Sequence, residues 1–189
     1  MILDTAKKSG IWYSAITDDK ERLVACSFSK SRKAAQESAI QSLPKTLRRE
    51  VVRSPRASKS VRILHDIYLG RDLRRAPRIA LVTSSRFFRK TYRSAVKIPK
   101  GKVTTYGRLG KRLGSKRLAR AVGNAMARNP LPLVVPCHRV VHSTLRVGKY
   151  GGAGSGGSRT KRELLVREGV RFDGERVSRR SLWWTDGVN

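Results

Sequence analysis

Acidic side chains are what this sequence has least of. Its 189 residues hold 13 Asp or Glu against 43 Lys or Arg, a formal net charge of +30. Between Asp72 and Glu163, ninety consecutive residues contain 23 Lys or Arg and not one carboxylate. A solvated surface ordinarily mixes both signs, so a stretch this one-sided points to a polyanionic partner, either nucleic acid or an anionic membrane surface. Disorder is the usual alternative for a charge run, and the apolar segments interleaved here argue against it. Cysteine is nearly as scarce: Cys26 and Cys137 stand 111 positions apart. Two such residues form neither a disulfide framework nor a C-x-x-C metal pattern, so no metal is expected. No run approaches the roughly 20 apolar residues of a membrane span. The start, MILDTAKKSG, lacks the apolar core of a signal peptide. The expectation is a cytoplasmic protein with no membrane partner. Hydrophobic residues make up 39% of the chain, enough for one large core or two small ones.

The patterning predicts an α/β chain, more narrowly α+β, with a boundary near residue 80. In residues 1–80, IWYSAIT and RLVACSF flank the polar DDKE as a hairpin, and SRKAAQESAIQSL reads as a helix stopped by Pro44. A second helix, from about Ser58 to Leu69, puts Val61, Leu64, Ile67 and Tyr68 near one face and ends at Gly70. His65 falls beside that face and reads as structural. Cys26, inside an apolar β-rich run, reads as inert core.

Residues 81–189 are predicted to be mainly helical. One helix from about Ser85 to Val96 presents Phe88, Tyr92 and Ala95. A short helix capped by Thr105, a turn at Gly114-Ser115 and a helix from about Ser115 to Ala127 then give the outline of a helix-turn-helix, stopped by Asn129-Pro130. Its second helix is rich in small residues: Ala121, Gly123, Ala125 and Ala127. Small side chains let a backbone approach a partner closely, either a narrow DNA groove or another helix. After the glycine-rich GKYGGAGSGGSR comes a final helix in TKRELLVREG, with Thr160 as its N-cap and Gly169 just past its end. The tail, SRRSLWWTDGVN, is expected to tuck its tryptophans against the body.

Cys137 sits in this second half, in VVPCHRVV. A lone Cys in an apolar run is ordinarily a small buried hydrophobe. Here Cys137, His138 and the distant Glu168 supply nucleophile, base and orienting carboxylate. The adjacency is awkward, because successive side chains of an extended segment point to opposite faces. His138 needs a bend or a bridging water to reach the sulfur. An electropositive field is expected to lower the thiol pKa.

PCHRVV, preceded by RNPLPLVV and followed by GKYGG and KRELLVREG, resembles the reactive domain of the O6-alkylguanine-DNA alkyltransferases. The resemblance runs from about IPKGKVTTY to REGV, roughly residues 98 to 170; the N-terminal half is similar only in size and outline. It implies that Cys137 accepts the alkyl group, that His138 acts as base through a water, and that Glu168 orients the histidine. It further implies that Tyr106 donates a proton to the leaving base, that Arg120 enters the duplex where the target nucleotide is rotated out, and that Asn129 forms the hinge before the reactive strand. The helix-turn-helix, with Thr105, Arg120, Ala121, Gly123, Ala125, Ala127 and Arg128, would lie in the minor groove, and Tyr150, Gly151 and Gly152 would border the guanine. The implied partner is double-stranded DNA containing alkylated guanine, bound by a monomer, with no cofactor. Three departures stand out. A serine of the family is Gly151 here, Arg128 replaces a glycine, and the loop from Ala153 to Ser158 is longer. A cysteine hydrolase, a non-catalytic DNA-binding protein and a general RNA-binding protein are the competing classes.

Overall fold

The computed structural model of the chain describes residues 1–54, 59–83, 85–150 and 157–183. Strands β1 (Ile2–Lys8), β2 (Ile11–Thr17), β3 (Leu23–Ser29) and β4 (Val52–Arg53) form one sheet in the order β3-β2-β1-β4. The β2–β3 hairpin is the expected one. Asp18 closes its turn, accepting from the backbone N–H groups of Lys20 and Arg22 at 3.1 and 2.8 Å. Strand β1 was not anticipated. It pairs with β2 through Ser9-Gly10, whose φ values of 47° and 78° are those of a two-residue hairpin turn that matches strand twist. Helix α1 (Arg32–Gln41), capped by Ser31, covers one sheet face, where Leu3, Ile16, Val24 and Ala25 meet Ala39 and Leu43.

The other sheet face is where the halves meet. Helix α2 (Lys59–Tyr68) places Val61, Leu64 and Tyr68 on Tyr13, Ala15 and Phe28, in the same core cluster as Tyr92, Leu131, Cys137 and Leu164 of the second half. Each fully buried large side chain contributes about 1.5–3 kcal/mol, so the shared cluster ties the two halves together. Strand β3 adds direct bonds: Cys26 donates its N–H to the Pro130 carbonyl at 2.8 Å and its thiol to the Pro132 carbonyl at 3.1 Å. His65 has the structural setting expected of it, with Nε2 at 3.1 Å from Ser9 Oγ and its ring edge-on to Tyr13.

In the second half, α3 (Arg86–Val96) is capped by Ser85 and directs Tyr92 inwards, where its hydroxyl donates to the carbonyls of Ala125 and Arg128 at 3.0 and 3.1 Å. Helix α4 (Tyr106–Arg112), capped by Thr105, is followed by a tight turn, a 3-10 turn over Lys116–Leu118, and α5 (Ala119–Ala127). The expected helix-turn-helix is therefore present, but α5 begins four residues later than the pattern suggested, because Ser115 caps the 3-10 turn, accepting from Arg117 N–H. Short parallel strands β5 (Thr104–Thr105) and β6 (Val140–Val141) pair Thr104 with Val140. That ladder brings the start of the helix-turn-helix beside the PCHRVV segment.

Helix α6 runs Gly157–Arg167, so Thr160 lies inside it and is not its cap. Its end is as expected: Gly169, at φ 85°, donates to the Val166 carbonyl and Val170 to the Leu165 carbonyl, a Schellman arrangement. Strands β7 (Phe172–Asp173) and β8 (Arg176–Val177) form a terminal hairpin, and Trp183 packs on the body under the Arg112 guanidinium, 5.3 Å from its ring centroid. Trp184 lies outside the described residues. Among those described, no helix is long and apolar enough to cross a membrane.

Candidate active site

The bend that Cys137 and His138 require is a 3-10 turn over Cys137–Arg139, which turns the two side chains out of the alternation of a strand. Both are buried, at 6% and 1% exposure. His138 Nε2 lies 2.8 Å from Glu168 Oε1. With the carboxylate ionised, Nε2 carries the proton and donates, which leaves Nδ1 as the free lone pair. Nδ1 is buried and has no partner among the described protein groups.

Arg139, quoted in the motif but given no role by the sequence, holds the carboxylate. Its Nε and Nη2 donate to Glu168 Oε2 and Oε1 at 2.8 and 2.7 Å, and its Nη1 donates to the Ile98 carbonyl at 2.7 Å. Burial alone would raise the Glu168 pKa, but His138 and Arg139 together pull it down to about 2. Burial lowers the His138 pKa against the pull of Glu168. The resting pair is thus an ionised carboxylate and a neutral imidazole, with Arg139 donating to both carboxylate oxygens.

Around the sulfur the balance differs from the expected one. Burial pushes the Cys137 thiol above its ordinary value, opposed by hydrogen bonding from Asn129, by the Lys161 charge and by Tyr150. The field that was expected to lower the pKa is present and is outweighed by desolvation. Asn129 braces the segment that leads from α5 to Cys137, its amide donating to the Val135 carbonyl at 2.9 Å and its Oδ1 accepting from Leu131 N–H at 3.0 Å. The buried Tyr150 hydroxyl makes no well-formed hydrogen bond and has the thiol as its neighbour. Gly151 and Gly152 lie outside the described residues, as does most of the Ala153 to Ser158 loop.

Lys161 is the residue the sequence hid best. On α6 it is 1% exposed, donates to the Val140 carbonyl at 2.6 Å and sits 3.5 Å from the Tyr106 hydroxyl. Burial lowers its pKa to about 8, with the Cys137 sulfur pulling the other way. Burial, then the Cys137 charge, raise Tyr106 to about 12. His142 flanks the same phenol, ring centroids 5.5 Å apart.

Tyr106 also borders the outward face of α5. A Cβ on Gly123 would lie 3.9 Å from the phenol ring. Arg117, Arg120, Ala121, Gly123, Asn124 and Ala127 line an open trough along that helix. Arg128 is exposed at its end. Ala125 is a correction: it is fully buried, in the core with Val122 and Met126, because those three positions form the inward stripe of α5. Thr105 is also buried, its hydroxyl accepting from Arg108 N–H as the α4 cap.

Residues 86–170 match the family described as 6-O-methylguanine DNA methyltransferase, DNA binding domain. The match takes in the helix-turn-helix, Cys137, His138 and Glu168, a little under half of the chain. The human methylated-DNA--protein-cysteine methyltransferase is 44% identical over 87 residues, 46% of this chain and 40% of that protein. The protein of the same name from Pyrobaculum aerophilum is 49% identical over 73 residues, 39% of this chain and 45% of that protein. The aligned chain thus spans less than half the length of these curated relatives. The structural likeness reaches further. The O6-methylguanine-DNA methyltransferase from Pyrococcus kodakaraensis matches with a TM-score of 0.67 and 28% identity, over 89% of this chain and 99% of that one. Mycobacterium tuberculosis OGT in complex with DNA matches with a TM-score of 0.71 and 25% identity, over 89% and 93%. The N-terminal half, whose sequence carries little resemblance, therefore shares the methyltransferase fold.

Proposed function

We propose that this protein is a 6-O-methylguanine DNA methyltransferase of the kind its residues 86–170 match, and that it repairs duplex DNA by moving an alkyl group from O6 of guanine to Cys137 in a single, irreversible step, after rotating the damaged nucleotide out of the stack. The observation that carries the reading is the buried Cys137, with the Glu168-anchored His138 beside it in the chain and Tyr106 linking it to the basic, small-residue face of α5.

The reacting carbon is saturated, so the sulfur displaces the guanine oxygen in line: an S–C bond forms as the C–O bond breaks. The thiol proton has to leave first. His138 Nδ1 is the neutral acceptor, reached through one bridging water, and Glu168 with Arg139 holds the imidazole in the tautomer that accepts there. A thiol whose pKa lies high at rest reacts when a substrate is seated and its proton is taken, and is shielded from other electrophiles meanwhile. The departing guanine oxyanion takes the Tyr106 proton. Tyr106 becomes a better donor as transfer proceeds, because the sulfur charge that raises its pKa disappears in the thioether while Lys161 remains. A thioether has no hydrolytic exit, so each molecule acts once, and nothing in the sequence of steps calls for a cofactor.

A base within the stack is out of reach, so the nucleotide must be extruded. Small residues at Ala121, Gly123 and Ala127 let α5 enter the minor groove, and Arg120 is placed to fill the gap. The protein is proposed to act as a monomer on DNA containing alkylated guanine, in the cytoplasm. The test is intact-mass measurement after incubation with a duplex carrying O6-methylguanine. The expected result is a gain of one methyl group, mapped to Cys137 and saturating at one per protein. No gain, a gain on Cys26, or continued turnover would overturn the reading.

A further inference from the structure

The segment after residue 170 lies outside the family match, yet it is bound to the site rather than trailing from it. Val103 donates its N–H to the Ser181 carbonyl at 2.8 Å, Trp183 donates to the Val103 carbonyl at 2.7 Å, and Lys102 Nζ donates to the Arg180 carbonyl at 3.0 Å. Val103 leads directly into β5 and Tyr106. These bonds set a 3-10 turn, Arg179–Ser181, against the start of the helix-turn-helix. Between them lies a cleft of about 460 Å³, lined by Arg108, Lys116, Ser143, Arg179 and Leu182, with Thr105 at its wall. Among the described residues, no carboxylate lines it. The Arg179 and Lys116 side chains are exposed and make no ion pair among the described residues, while the backbone of both is fixed, by Ser181 and Leu182 in one case and by the Ser115-capped turn in the other.

We propose that this cleft is a phosphodiester-binding subsite, in which Arg179 of the terminal segment and Lys116 of the helix-turn-helix grip the backbone of the nucleic acid that α5 engages. The chemistry is that of a monoanionic phosphate: two cations on fixed backbone and a hydroxyl, Ser143, in the same lining. Arg179 supplies a planar fork suited to two phosphate oxygens, Lys116 a point charge. The subsite rests on the proposed DNA substrate for its partner, but binding can be read without any alkyl transfer.

The experiment measures affinity of the full chain for a short undamaged duplex as a function of salt. Each phosphate contact contributes about 0.9 to the slope of log K against log salt, which at 0.1 M salt is about eightfold in affinity. Arg179→Ala is expected to lose that slope and that affinity, Arg179→Lys to recover most of both, and Arg53→Ala, an exposed cation on the β4 edge, to change neither. An unchanged slope in Arg179→Ala overturns the subsite. So does an equal loss in Arg53→Ala, which would reduce the effect to net charge. Methylation of Cys137 by the free O6-methylguanine base, followed by mass in the same variants, is expected to be unaffected. If the parent shows no methylation at all while the slope changes as stated, the repair reading fails and the phosphate contact stands.

Discussion

The two halves of the molecule divide labour in opposite ways. The second half holds every group proposed above to touch DNA or the alkyl group, yet the segment around Cys137 is short, irregular backbone: a 3-10 turn and two-residue strands. The first half holds no such group and is the more regular, a four-stranded sheet with a helix on each face. It is attached beside Cys137 and at the end of α6. Strand β3 bonds the hinge through Cys26, and the end of α2 meets the end of α6, where Arg167 stacks on the Tyr68 ring 4.2 Å away and donates to the Tyr68 carbonyl at 3.2 Å. The comparison teaches that irregular backbone can present a precise site when a regular sheet supports it from behind.

The comparison breaks most plainly at the cysteines. Cys137→Ser should lose all methyl transfer, and Cys26→Ser should keep it, because a hydroxyl still donates to the Pro132 carbonyl; mass measurement on both variants decides. Next in size is Glu168. Its pKa falls from 4.5 to about 2 on folding, so its ionised form contributes stability above the ordinary carboxylate pKa, lost as pH drops through about 2. The shift corresponds to about 3 kcal/mol at neutral pH. Glu168→Gln should therefore destabilise by roughly that amount at pH 7 and progressively less from about pH 4.5 downwards, in denaturant titrations at a series of pH values.

A paired glycine substitution sharpens the comparison. Gly70 and Gly10 have similar left-handed φ values, 69° and 78°, but a Cβ on Gly70 would sit 2.3 Å from the Arg167 carbonyl oxygen while one on Gly10 would meet nothing within 4 Å. Gly10→Ala should cost about 1 kcal/mol from backbone strain alone. Gly70→Ala should cost more and also slow transfer to Cys137, since the displaced residue adjoins Glu168. Equal transfer rates in the two would show that the halves are joined without being coupled. Smallest is Ser31→Ala at the α1 cap, about 1 kcal/mol or less in a thermal melt, with the transfer rate unchanged.

What the sequence disclosed follows the same division. PCHRVV is legible because nucleophile and base are concentrated in two adjacent letters. Glu168, thirty residues after His138, reads beside them as the orienting carboxylate, while Tyr106 and Asn129 come from the resemblance. Lys161 was hidden by the expectation that lysines are solvated, although its spacing from Leu164 and Leu165, i+3 and i+4, puts it on the buried face of α6. Ala125 was misplaced for a related reason: the small residues read as one set, which the resemblance puts in the minor groove, when its spacing from Val122 marks the inward stripe. Strand β1 was missed because ILDTAKK alternates weakly; the Ser9-Gly10 pair was the available sign. That the two halves share a core depends on tertiary packing that no local pattern records.

Glu168 follows the last helical residue of α6, where the peptide dipoles present their negative end and a carboxylate is the least suitable side chain. Viewed as an energy landscape, this is a locally frustrated residue: its helix disfavours it, its burial disfavours it, and only the guanidinium of Arg139 and the imidazole of His138 reconcile it to the fold. A frustrated residue of this kind has no reason to persist for the sake of the helix. Its conflict with local rules is thus itself a marker of a residue held in place by tertiary partners, and it can be sought in a bare sequence as an acid set immediately before the glycine that ends a helix.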